Sequence, residues 1–174
     1  EAYLTFRMDR IKEMSVLDPF MGSGTTAIAA YNLGRLALGM DLSEEYRDLA
    51  VERFKSKGMR ETDYQYFIGD STKELTVFKR VDYIVTSPPY HNILKNKSKG
   101  IRNDNSHKGY RNGPRQGVEY YSDLPNDLGN QEKYEDFIAL LKQVMTLCYE
   151  ILNDNKYCSI IISDFTVDKI EVCV

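Results

Sequence analysis

The 174-residue chain has no tryptophan, three cysteines, two histidines and five prolines. Cys148, Cys158 and Cys173 cannot all pair, and none stands in a Cys-x-x-Cys. That argues against a disulfide scaffold or a cysteine-built zinc site and fits a reducing cytoplasmic setting. With only His91 and His107 besides, no metal centre is expected. No apolar run approaches the roughly 18 residues that a bilayer-spanning helix needs. Glu1 to Met14 mixes Arg7, Asp9, Arg10, Lys12 and Glu13 with apolar residues, which is not the pattern of a signal peptide. What is present, 42% hydrophobic and 28% charged residues over one domain's length, reads as an ordinary globular unit.

The net charge of −3 is unevenly spread. Between His91 and Gly117 lie Lys95, Lys97, Lys99, Arg102, Lys108, Arg111 and Arg115 against one acid, Asp104. This balance of +6 leaves −9 for the rest of the chain. An acidic body with one basic segment suits local contact with a polyanion, although a solvated loop has the same composition.

Local patterns alternate between strand and helix. Ser15–Asp18 reads as a strand leading through Pro19-Phe20-Met21 into Gly22-Ser-Gly24-Thr25-Thr26. Ala27, Ile28, Ala30, Tyr31 and Leu33 then recur at helical spacing, with Gly34 as the stop. Leu36–Met40 is a second strand closed by Asp41. Ser43 is an N-cap, and Glu44 and Glu45 follow where the helix dipole favours acids. Tyr46, Leu49, Ala50 and Phe54 continue that helix on one face. Tyr64–Ile68 and Val81–Thr86 are further strands, closed by Gly69-Asp70 and by Ser87-Pro88-Pro89-Tyr90. Residues 91–130 are expected to form a mobile basic loop. A five-turn helix runs through Tyr134, Phe137, Ile138, Leu141, Val144, Met145, Cys148, Ile151 and Leu152. Cys158–Ser163 reads as a central parallel strand. The expected fold class is α/β, a Rossmann-like parallel sheet with helices on both faces. Its informative turns sit at the strands' carboxyl ends, where such sheets bind ligands.

Gly22-Ser-Gly24-Thr-Thr-Ala27 fits the G-x-G-x-x-A pattern between a strand and a helix, and Asp41 stands where an acid bonds ribose hydroxyls. No lysine follows the second glycine, so the turn is not a phosphate-gripping P-loop. The glycines alone do not choose between a dinucleotide, S-adenosylmethionine and a tight turn with no ligand.

Ser87-Pro88-Pro89-Tyr90 is more specific. Prolines lack an N–H and fix a rigid turn with an uncommitted carbonyl. A hydroxyl and that carbonyl can grip an exocyclic amine, and Tyr90 offers a face for a planar base. Chemistry on an extruded nucleobase needs both.

Leu17-Asp-Pro-Phe-Met-Gly-Ser-Gly-Thr-Thr26 together with Thr86-Ser-Pro-Pro-Tyr90 resembles the amino-group DNA methyltransferases, the N4-cytosine and N6-adenine family that uses S-adenosylmethionine. Gly39-Met-Asp41-Leu-Ser-Glu-Glu-Tyr46 looks like the family's ribose-binding strand and following helix. Gly69-Asp70-Ser71 is similar to its adenine-contacting turn. The resemblance implies a methyltransferase catalytic domain over residues 1–174, acting on double-stranded DNA. Asp18, Phe20, Gly22 and Gly24 would shape the methionine and ribose pocket, with Pro19 and Thr25 in the same turn. Asp41 would take the ribose hydroxyls, and Asp70 with Ser71 the adenine. Ser87, Pro88, Pro89 and Tyr90 would be the catalytic turn, and the seven basic residues of the loop would contact nucleic acid.

The implied mechanism is one direct displacement by the target amine on the sulfonium methyl, with no covalent enzyme intermediate. Ser87 points to N4 of cytosine over N6 of adenine, where Asp or Asn is usual. An RNA amine methyltransferase, which typically carries Asn-Pro-Pro-Tyr, and a nicotinamide-dependent oxidoreductase are the alternatives. Three departures stand beside the resemblance. The motif order leaves no room for a target-recognition domain between the cofactor and catalytic motifs. The family's His-Pro-bearing cofactor motif is missing near the N-terminus. The sheet is expected to lack its last strands, since the family fold adds two after the fifth.

Overall fold

The computed structural model describes residues 14–91, 127–162, 165–167 and 170–172. Five parallel strands form the central sheet: β1 (Ser15–Asp18), β2 (Leu36–Asp41), β3 (Tyr64–Ile68), β4 (Val81–Thr86) and β5 (Leu152–Ile160). Their order is β3-β2-β1-β4-β5, so the chain winds outward in one direction from β1 and restarts on its other side with β4. A separate antiparallel pair, β6 (Phe165–Val167) and β7 (Ile170–Val172), follows.

Side-chain alternation along the strands divides the core in two. On one face, Leu17, Leu38, Met40 and Ile84 pack with Leu75 and Phe78 of a 3₁₀ turn and with Val144, Cys148 and Ile151. The last three lie on α3 (Tyr134–Ile151), which buries a single stripe begun by Phe137. On the opposite face, Val16, Ala37 and Met21 meet Ala27 and Ala30 of α1 (Thr25–Asn32) and Ala50 and Phe54 of α2 (Glu44–Ser56). Ser43 caps α2 by accepting from the Tyr46 amide at 3.2 Å, and Glu44 and Glu45 occupy its first turn.

Three expectations change. Leu49 does not join the buried face of α2; it is 45% exposed, whereas Ala50 and Phe54 are buried and Val51 packs beside them. The run Cys158–Ser163 is not a central strand among the described residues. β5 begins at Leu152, pairs with β4 alone, and leaves Ile160, Ile161 and Ile162 exposed. Leu152 satisfies both the helical and the strand pattern, and its extended backbone (φ −71°, ψ 133°) turns the chain out of α3. The polar Asn153-Asp154-Asn155-Lys156 that follows disguises the strand. Asn155 sits in the left-handed region (φ 58°), next to a register shift in the β4–β5 ladder. Third, the segment 91–130 is not loop throughout. Leu128–Asn130 forms a 3₁₀ turn with Asp127 and Leu128 buried.

Candidate functional site

The sheet splits open at its carboxyl edge, between β1 and β4, where the strand order reverses. A cavity of about 300 Å³ lies there, within the size range of small-molecule sites. The turn after β1 contributes Pro19, Phe20, Gly22 and Ser23. The end of β2 contributes Asp41 and Leu42, and α2 adds Tyr46. The turn after β3 supplies Asp70 and Ser71. Ser87, Pro88, Pro89 and Tyr90 after β4 complete the wall with Asp127 and Leu128. Both expected half-sites therefore share one cavity.

The glycine turn is held from four sides. Asp41 Oδ2 accepts from the Gly22 amide at 2.8 Å, and Oδ1 accepts from the Ser43 amide at 3.0 Å. Tyr66 on β3 donates its hydroxyl to the Gly22 carbonyl at 2.7 Å. Burial, with Asp41 and Asp18 nearby, pushes the Tyr66 phenol up, so it stays a donor. Arg53 on α2 bonds both the carbonyl and the hydroxyl of Ser23. The Met21 amide bonds the Met40 carbonyl at 2.9 Å. Gly24 is required twice over. Its φ is +80°, and a Cβ would come within 2.4 Å of the Phe54 ring.

The carboxylates play different parts. Asp18 does not line the cavity. It is buried and accepts from Thr86 Oγ1 (2.7 Å), Thr26 Oγ1 (2.6 Å) and the Phe20 amide (3.0 Å). Burial raises its pKa against those three bonds. Gly24 and Thr25 also lie off the wall; Gly24 is buried against Phe54, and Thr25 is exposed at the start of α1. Asp41 does face the cavity. Burial, opposed by the Ser43 and Gly22 amides and reinforced by the negative charge of Asp127, raises its pKa. The Gly22 and Ser43 amides each take one of its oxygens, and a carboxylate oxygen offers two acceptor positions.

Asp70 opens a helical turn. It accepts from the Thr72 amide and hydroxyl and pairs with Lys73 at 2.9 Å, while its own amide bonds Glu74. Burial works to raise its pKa, but the Thr72 and Lys73 bonds prevail and hold it low. Ser71 donates to the Pro19 carbonyl at 2.6 Å, tying the β3 turn to the β1 turn.

On the β4 side, Ser87 is exposed to the cavity while Pro88 is buried beneath it. The ring of His91 lies 5.5 Å from Tyr134 and 5.6 Å from Phe137, anchoring the end of this segment on α3. Cys148 is buried, and burial pushes its thiol up to about 12, so it is no thiolate nucleophile near neutral pH. Among the described residues no cluster of histidine, cysteine or acidic side chains can hold a metal ion, and no helix is long and apolar enough to cross a membrane. Lys95, Lys97, Lys99, Arg102, Lys108, Arg111 and Arg115 lie outside the described residues.

Sequence reasoning passed over five wall residues. Ser23, Leu42 and Tyr46 stand inside motifs that had been singled out. Asp127 and Leu128 have no local signal, since only the docking of the 3₁₀ turn brings them to the cavity.

A switch-point cavity walled by a glycine turn and a proline-rich turn defines a Rossmann-like α/β ligand-binding domain. Residues 7–52 match the family model described as DNA methylase, N6_N4_Mtase. The chain is 45% identical over 42 residues to the type II methyltransferase M.ScaI of Streptomyces caespitosus, a match covering 24% of this chain and 14% of that protein. It is 36% identical over 77 residues to the tRNA (guanine(10)-N2)-dimethyltransferase of Pyrococcus abyssi, covering 43% and 23%. The matches thus span under a quarter of either relative's length. A crystal structure from Clostridium thermocellum, assigned as an rRNA methylase, superposes with a TM-score of 0.55 at 12% identity over 95% of this chain and 74% of that one, which shows the fold. Residues 7–52 are thus similar to the amino-group DNA methyltransferases at the stretch that carries the glycine turn and Asp41.

Proposed function

We propose that the chain carries the catalytic site of a DNA methyltransferase that methylates the exocyclic amine of an extruded base, N4 of cytosine in preference to N6 of adenine. The observation that carries this reading is the shared cavity. The ribose-type acid Asp41 and the Ser87–Tyr90 turn open into one space of about 300 Å³, as transfer between two bound groups requires. S-adenosylmethionine fits the donor set. Asp41 retains acceptor capacity for ribose hydroxyls, Phe20, Leu42 and Tyr46 supply apolar surface, and Asp70 and Ser71 close the far end. When bound, it supplies a methyl group activated by a sulfonium. Ser87 and the Pro88 carbonyl would accept the N–H bonds of the target amine, favouring a tetrahedral nitrogen whose lone pair is free of the ring. Tyr90 would hold the base by stacking.

The basic segment fits a DNA contact for a geometric reason as well. Tyr90, directly before it in the chain, lines the cavity. A nicotinamide enzyme would have no use for the proline turn in this place. An RNA amine is the second reading, favoured by the similarity to a tRNA dimethyltransferase.

Nucleoside mass spectrometry after incubation with methyl-labelled S-adenosylmethionine and either DNA or RNA tests the proposal. N4-methylcytosine in DNA is expected. N6-methyladenine alone would overturn the base preference, and label confined to RNA would overturn DNA as the substrate.

A further inference from the structure

We propose that Thr86 is a positioning residue that sets the spacing between the two halves of the cavity, acting through the Asp18 carboxylate. The inference rests on the methyl-transfer reading above. β1 and β4 pair through Val16↔Tyr83 and Leu17↔Ile84, and the ladder records no pair beyond them. It stops just where the donor half (Pro19, Phe20) and the acceptor half (Ser87, Pro88) begin. Pro19 and Pro88 have no N–H to extend it, and divergence of the strands here is what opens the crevice. Left to the main chain alone, the separation of the two halves would be unspecified.

One side-chain bond replaces the missing pairing. Thr86 is 1% exposed and donates to Asp18 Oδ1 at 2.7 Å. The same oxygen accepts from the Phe20 amide, and the other accepts from Thr26 at the start of α1. Meanwhile the Thr86 carbonyl accepts from the Ile161 amide at 2.8 Å, pinning the end of β4 to the β5 side. The carboxylate of Asp18 is thus a joint between the residue before Ser87 and the residue after Pro19. Its location behind the wall, bonded by Thr86, Thr26 and the Phe20 amide, suits a spacer and not a ligand contact.

The test compares the full chain with Thr86→Val, which keeps the branched shape and loses the hydroxyl, and Thr86→Ser, which keeps the hydroxyl. Because a misplacement near 1 Å costs about a hundredfold in rate, Thr86→Val should lower kcat by ~10- to 100-fold, with the calorimetric Kd for S-adenosylmethionine changed by less than about twofold. Thr86→Ser should restore most of kcat. An unchanged kcat in Thr86→Val, or parallel losses of kcat and cofactor affinity in both variants, overturns the proposal. If the unsubstituted chain transfers no methyl group to any nucleic acid, the functional reading fails, and the joint is judged separately by carboxyl and amide NMR. There Thr86→Val should raise the Asp18 titration midpoint and shift the Phe20 and Ser87 amides together, whereas Thr86→Ser should do neither. Unmoved resonances overturn the joint itself.

Discussion

Asp41 and Asp70 close neighbouring strands yet titrate in opposite directions. Asp41 is raised by burial and by Asp127, so its charged form is given up at a higher pH than the ordinary 3.8. If that charge grips ribose hydroxyls, affinity for S-adenosylmethionine falls as pH drops through the raised value. Titration calorimetry at successive pH values should show the loss setting in above pH 3.8, and Asp41→Ala should be flat. At neutral pH that substitution removes charge-assisted bonds of about 1.5–3 kcal/mol, a weakening of ~10- to 150-fold. An unchanged Kd would return Asp41 to a purely structural role at Gly22 and Ser43. Asp70 and Asp82 are held low, burial notwithstanding, by bonds from Thr72 and Lys73 in one case and from Ser15, Asn153 and Lys156 in the other. A lowered folded value contributes stability above the unfolded value, and it disappears as pH falls through the folded one. Thermal melts should therefore fall in acid below about pH 4, and less steeply in Asp70→Asn.

At the scale of elements, the parts legible in the sequence are those set by local chemistry. β1, β3 and β4 have the boundaries their apolar runs imply, and the Ser43 cap with its acidic first turn starts α2. The glycine turn was legible because a left-handed backbone against Phe54 admits no side chain at Gly24. What local pattern could not convey is partnership. Leu49 fits a helical stripe, but α2 packs on the core through Ala50, Val51 and Phe54. β5 was hidden by four polar residues around the left-handed Asn155. Asp127 and Leu128 reach the cavity through tertiary docking alone. The bonds that hold Asp18 behind the wall are invisible to local pattern for a similar reason, since its hydroxyl partners lie 8 and 68 residues away. Chemical denaturation checks this division. Leu49→Gln should change stability by less than about 0.5 kcal/mol. Ser43→Ala should cost about 1 kcal/mol, and Phe54→Ala ~3–5 kcal/mol. Equal losses for Leu49 and Phe54 would contradict the packing described for α2.

For the molecule as a whole, the acidic body and the +6 segment from 91 to 117 separate two tasks. The cavity is built by the described residues of the body, and Tyr90, the residue before the basic segment, lines it. If the segment binds phosphates, replacing Lys95, Lys97 and Lys99 together should weaken DNA affinity and lower the slope of log K against log salt by about 0.9 per lost contact. An unchanged slope would leave those lysines as solvated charge. The central claim, that the switch-point cavity takes S-adenosylmethionine beside an amine-gripping turn, is tested most directly by calorimetric titration of the chain with S-adenosylmethionine and, separately, with NAD. The account predicts one saturable site for S-adenosylmethionine, weakened by Asp41→Ala, and no measurable heat with NAD. Binding of NAD as tight as that of S-adenosylmethionine, or no binding of the latter, would contradict it.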